Sequence, residues 1–177
     1  MGRQPTVGRY PSIGIGKTLI EVSDGTITLT TDQRHRAVDL ALAYGFRVVT
    51  EVGKKESGAE LDPDDAIAQV LADLSAGAEK VIVEGRESGK GVGFYDAQGR
   101  LRGDDLDRVA AGIPDPSVLI WEAPLKSQQE ALIARFGPDV NLGNIQPEEA
   151  LAVESLRLGL RGDTLRLALE REERGVL

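Results

Sequence analysis

The sequence predicts an α/β fold built from repeated βα units around one parallel sheet. Five short apolar runs alternate with segments of helical period, and the runs start at intervals of roughly 23 to 37 residues, the span of a βα unit. Near-continuous Val, Ile and Leu mark strands buried on both faces. Each run ends in charged or amide residues, so the polar chemistry collects at one rim of the sheet, where parallel strands deliver their C-terminal ends.

Residues 1–16 are rich in Gly, Pro and Arg and match no regular element, so an irregular segment is expected there, followed by a single domain over 17–177. A chain of 177 residues is long enough to bury well over half of its unfolded surface in one core. The first strand is read in Thr18-Leu-Ile-Glu-Val-Ser-Asp-Gly25. Residues 31–45 follow as an amphipathic helix that opens on capping residues, stripes Ala37, Val38, Ala41 and Leu42, and stops at Gly45. His35 lies between Arg34 and Arg36 on what reads as the helix surface, a poor place for a general base. The second strand, Arg47-Val-Val-Thr-Glu-Val-Gly-Lys-Lys55, leads to a helix over 62–77 with Pro63 in its first turn and Gly77 at its stop.

The third strand is Lys80-Val-Ile-Val-Glu-Gly-Arg-Glu-Ser88. Residues 89–103 hold too many glycines for a helix and read as a mobile loop, a solvated insertion, or a small hairpin around Asp96-Ala-Gln-Gly99. The fourth strand starts near Ser117 in Ser117-Val-Leu-Ile-Trp-Glu-Ala-Pro124, with Trp121 expected in packing. A helix over 127–136 stops at Gly137. The fifth strand starts near Val140, in Val140-Asn-Leu-Gly-Asn-Ile145, and a helix over 147–160 follows. Arg161-Gly-Asp-Thr164 reads either as a ligand-binding block or as a cap or turn, and Glu170-Arg-Glu-Glu-Arg174 as a solvated helix end.

Composition narrows the function. A formal charge of −8 and a pI near 4.8 oppose nonspecific binding to nucleic acid or anionic membranes, which require basic patches. Small solutes are the expected partners. With no cysteine, disulfides, thiolate nucleophiles and zinc-thiolate sites are excluded. No stretch has the length of a signal-peptide core or a membrane span, and a soluble cytoplasmic protein is expected.

Six blocks, in order, carry a family resemblance. They are Glu21-Val-Ser-Asp-Gly-Thr-Ile27, Glu51-Val-Gly-Lys-Lys55, Glu84-Gly-Arg-Glu-Ser-Gly89, Glu122-Ala-Pro-Leu-Lys-Ser-Gln-Gln129, Val140-Asn-Leu-Gly-Asn-Ile145 and Leu156-Arg-Leu-Gly-Leu-Arg-Gly-Asp-Thr164. From about Gly16 to about Thr164 the chain resembles the phosphosulfolactate synthase family, which also includes bacterial and plant heat-stress relatives. The resemblance implies a magnesium-dependent (β/α)8 TIM barrel that adds sulfite to phosphoenolpyruvate on the route to coenzyme M, a carbon-sulfur lyase run in the synthetic direction. A full barrel needs about 250 residues, and the five strands read here match what looks like the fourth to the eighth. An incomplete barrel of about five units, with two open sheet edges, is expected to self-associate into a homo-oligomer and to have little synthase activity alone.

The rim residues suit that chemistry. Phosphoenolpyruvate and sulfite are both anionic, so cations must gather where they meet. Lys54, Lys55, Arg86, Lys90, Lys126, Arg157 and Arg161 are the candidates, each with a neighbouring carboxylate as its alternative partner. Lys54 or Lys55 is the expected proton donor, with Arg86 beside them in catalysis. Lys90, Arg161, Asn141, Gly143 and Asn144 are expected to bind substrate, the last three where such barrels hold phosphate. Glu51, Glu84 and Glu122, near the ends of successive strands like Glu21, supply hard oxygens for Mg2+; their alternative is structural salt bridging. The competing functions are a barrel enzyme acting on another phosphorylated substrate and a non-catalytic relative.

Overall fold

The computed structural model describes residues 19–24, 27, 29–53, 61–85, 88–91 and 93–173. The irregular segment expected over 1–16 lies outside them. Among the described residues five parallel strands stand side by side in chain order, β1 (Leu19–Val22), β2 (Arg47–Val52), β3 (Lys80–Val83), β4 (Leu119–Glu122) and β5 (Leu142–Gly143). Between and after them run α1 (Thr31–Ala43), α2 (Pro63–Ser75), α3 (Gly103–Gly112), α4 (Lys126–Phe136), α5 (Ala150–Arg157) and α6 (Gly162–Glu173). A parallel sheet in sequential order, each strand followed by helix, is the arrangement of a partial (β/α)8 barrel. No helix among the described residues is long and apolar enough to cross a membrane.

Local chemistry explains the helix ends. Thr30 caps α1 in a reciprocal box with Gln33, and Asp62 caps α2 ahead of Pro63 by accepting from the Asp64 and Asp65 amides. Each cap satisfies amides that the first turn cannot pair internally.

Strand alternation divides the sheet into two faces. Val52, Val81, Val83, Leu119 and Trp121 face the helices and bury themselves against Ala66, Val70, Leu106, Val109 and Leu132. Trp121 stacks on Phe136 at 5.5 Å and meets Phe94 edge-on at 6.3 Å, the packing role expected of it. Val22 and Val48 meet Val38 and Ala41 of α1 in a second cluster. The opposite face, the inside of the curl, carries Glu21 and Val49 as one cross-strand pair, Glu51, Ile82 and Ile120 as the next row, and Glu122 beside Gly143.

Four local readings are corrected. Helix α3 was not expected, because glycines crowd the interval before it; Leu106 and Val109 bury one stripe three residues apart. The fourth strand begins at Leu119 instead of Ser117, since Asp115 accepts from the Ser117 amide and curls Pro116–Val118 into a 3-10 turn. The helix expected over 147–160 is a 3-10 turn at Pro147–Glu149 followed by α5. Arg161-Gly-Asp-Thr164 opens α6 where a stop was one reading, and the Thr164 hydroxyl donates to the Leu156 carbonyl to close the turn between the two helices.

Candidate active site

At the C-terminal ends of β2, β3 and β4, Glu51, Glu84 and Glu122 come together on the inner face. Continuing the β3–β4 register, Val83 against Trp121, by one residue sets Glu84 beside Glu122, with their strands about 4.8 Å apart across the sheet. Glu51 is two residue pairs lower on the same face, opposite Ile82. Glu51 and Glu84 are buried, at 6% and 2% exposure. Glu122 is half-buried and accepts from the Gly85 amide at 2.9 Å. Carboxylates on neighbouring rungs repel one another unless positive charge sits close by.

Gly53 makes room for this pair. At φ +115 a Cβ there would lie 2.8 Å from Glu84 Cβ, so Gly53→Ala both strains the backbone and pushes the carboxylate aside. An equilibrium urea melt is expected to show a loss of about 1–3 kcal/mol; no loss would mean that the rim yields freely.

The segment after β3 is a built hairpin, one of the three forms considered for it. Tyr95 bridges Leu101 in antiparallel fashion, and Asp96 accepts from the Gln98 and Arg100 amides and from the Arg100 guanidinium. Gln128, in the first turn of α4 and 1% exposed, donates to the Gly89 and Gly99 carbonyls. Gly93, at φ +57, packs so closely on the Glu84 carbonyl that a Cβ there would lie 2.4 Å from its oxygen. The hairpin thus clamps the end of β3, and Lys90 stands exposed on it.

Tyr95 ties the hairpin to β4 by donating its hydroxyl to the Glu122 carbonyl. Burial, and secondarily the Glu122 charge, pushes its phenol well above the ordinary range. The folded protein therefore keeps a proton that the unfolded chain releases. The resulting stability is fully present below about pH 10 and is lost as pH rises beyond it. Urea midpoints from pH 8 to 11 should fall more steeply for the wild type than for Tyr95→Phe; parallel curves would contradict the assignment.

The remaining candidates fall in three places. Lys54, Lys55 and Arg86 lie outside the described residues. Arg161 and Lys126 converge on Asp163, at 3.8 and 2.8 Å; the Lys126 hydrogen bond, with Arg161 adding its charge, holds the Asp163 carboxyl below the usual range. At β5, the Asn141 side chain donates to the Ser117 and Leu119 carbonyls, which secures the strand to β4. Gly143 lies against Ile120 and Glu122 on the inner face, and Asn144 follows with φ +54.

One cleft of about 1020 Å3 opens at the other end of β5, between α4, α5 and α6. Its arginines are already engaged: Arg135 with Asp107, Arg157 with the Pro138 carbonyl and Arg171 with the Ile133 carbonyl. It is a seam between helices, remote from the strand ends that carry the chemistry.

The donor set also bears on a metal ion. Among the described residues no three acidic or histidine side chains form a cage. Magnesium does not need one, because it takes one or two carboxylates and fills its other positions with water and substrate oxygens. The adjacent Glu84 and Glu122 fit that requirement.

Sequence reasoning missed Arg34. It is 4% exposed and paired with Asp73, which is 1% exposed. Its burial cannot be read locally, since its partners stand 10, 17 and 39 residues away.

Comparison with known proteins gives a consistent result. A family model described as (2R)-phospho-3-sulfolactate synthase (ComA) matches residues 12–163. The chain is 47% identical over 153 residues to a protein named phosphosulfolactate synthase from Methanothermobacter thermautotrophicus, covering 85% of this chain and 59% of that relative. Proteins of the same name from Methanocaldococcus jannaschii (46% over 152 residues; 85% and 60%) and Bacillus subtilis (39% over 151 residues; 84% and 59%) also match. The chain therefore spans about 60% of the length of these relatives.

Proposed function

The chain belongs to the phosphosulfolactate synthase family, and from that premise we propose that its rim serves the magnesium-dependent addition of sulfite to phosphoenolpyruvate, giving (2R)-3-phosphosulfolactate. The observation that carries this reading is the row of glutamates, Glu51, Glu84 and Glu122, brought to one face at the C-terminal ends of three successive parallel strands.

In this reading Glu84 and Glu122 would hold Mg2+, with Glu51 two residue pairs below as support. The chemistry that Mg2+ would supply when held there is Lewis-acid polarisation of the substrate carboxylate, offsetting the charge that develops on it. Sulfite sulfur forms a bond to C3 of phosphoenolpyruvate, the C2–C3 π pair moves toward C2 and the carboxylate, and a proton then closes C2. Lys54 or Lys55, two and three residues beyond the end of β2, supplies that proton. Arg86 takes the substrate anion in bidentate fashion. Lys90 and Arg161 approach the phosphate, with Gly143 and Asn144 lining its path; Asn141 contributes by holding β5 against β4.

Binding calorimetry tests the metal. Phosphoenolpyruvate should bind at least about tenfold more tightly with Mg2+ than with a chelator, since substrate oxygens complete the magnesium shell. Equal affinities would remove magnesium from the site.

A further inference from the structure

We infer that Arg34 is a positioning residue for the proposed reaction, fastening the C-terminal ends of β1 and β2 so that the Glu51 rim block holds a fixed place. The inference rests on the functional reading above. The guanidinium reaches from α1 to three elements at once. Its Nε donates to both Asp73 oxygens on α2, at 2.9 and 3.0 Å, its Nη1 to Asp24 Oδ1 in the loop after β1, at 2.9 Å, and its Nη2 to the Glu51 carbonyl.

The Glu51 contact has a specific backbone cause. The Val48 and Val52 carbonyls accept from Glu79 and Glu84 on the β3 side, so the Glu51 carbonyl, an odd number of residues from both, faces β1. The β1–β2 register ends at Val22 against Thr50. Just beyond that rung, on the β1 side of β2, Arg34 Nη2 donates to the Glu51 carbonyl. A buried carbonyl needs such a partner. Glu51 belongs to the proposed metal-side row, and Lys54, the proposed proton donor, follows three residues later. A lysine at position 34 presents one compact charge and cannot span three acceptors.

Arg34→Lys tests this with two readouts. Hydrogen exchange should show protection at Glu51, Val52 and Gly53 falling at least tenfold relative to β3 and β4. In the assay of sulfite-dependent phosphoenolpyruvate loss, kcat should fall about 100-fold with KM within about threefold, as expected for a misplacement on the order of 1 Å. The control is Leu132→Ala, a buried core change on the helix side, which should lower the melting temperature while leaving the β2 end protected and kcat unchanged. Exchange that rises evenly through the sheet, or an equal loss of kcat in the control, would overturn the inference. If Arg34→Lys does not fold, Asp24→Ala carries the test, because it removes the loop anchor but keeps the buried Arg34–Asp73 pair. Selective exposure of the β2 end then supports the inference, and unchanged exchange overturns it. Because the five-unit chain is expected to turn over little alone, low wild-type turnover leaves the functional reading standing, and the exchange pattern then decides by itself whether Arg34 fixes the β2 end.

Discussion

In a barrel completed by the missing βα units, Glu122→Gln should lower the rate of sulfite-dependent phosphoenolpyruvate loss by at least about 100-fold, the scale of removing one preorganised electrostatic contact from a transition state. The substitution is nearly isosteric. Its side-chain oxygen can still accept from the Gly85 amide, as Glu122 does at 2.9 Å, so the turn after β3 is retained. The charge beside Glu84 is lost, and a neutral amide is a far weaker ligand for a hard cation. Initial rates at saturating substrate, with a melting curve to confirm folding, check the prediction; a rate within about threefold of wild type excludes Glu122 from the chemistry.

Asp73→Ala should be strongly destabilising, at about 3–5 kcal/mol, because it leaves a buried guanidinium without its buried counter-charge. Asp73 and Arg34 are both almost fully buried, whereas Asp24, the other partner, has a side chain 40% exposed. Solvent weakens what Asp24 alone can offset. Urea denaturation monitored by circular dichroism measures the loss. A value below about 1 kcal/mol, typical of an exposed pair, would show that water relieves the charge.

The sheet was legible wherever a strand carries a near-continuous apolar run, although burial on both faces holds only for β2, while β3 and β4 alternate buried and half-buried residues. The starts of β2 and β3 were read correctly at Arg47 and Lys80, because their Val-rich runs have no competing signal. Legibility fell at the edge: β5 is the two residues Leu142 and Gly143, half-buried and too short for a pattern. Helices followed the same logic. Pro63 and Gly137 mark ends of α2 and α4, but α6 buries only Thr164 and shows little apolar stripe to read.

The shared face of Glu51, Glu84 and Glu122 was legible because strand alternation converts sequence spacing into a common side of the sheet. Arg34 was missed because a charge on a helix reads as solvated until its tertiary partners are known. Gln128 was missed for a related reason: its amide organises a hairpin through carbonyls 39 and 29 residues away, a relation no local period encodes.

Phosphorus NMR of phosphoenolpyruvate incubated with this chain joined to the βα units that complete the barrel, since the chain alone is expected to turn over little, tests the proposed reaction most directly. With sulfite and Mg2+ both present, the substrate resonance should be replaced one for one by a new phosphate monoester, and omitting sulfite should stop the change. A substrate signal that persists with both present, or inorganic phosphate released equally without sulfite, would contradict the account.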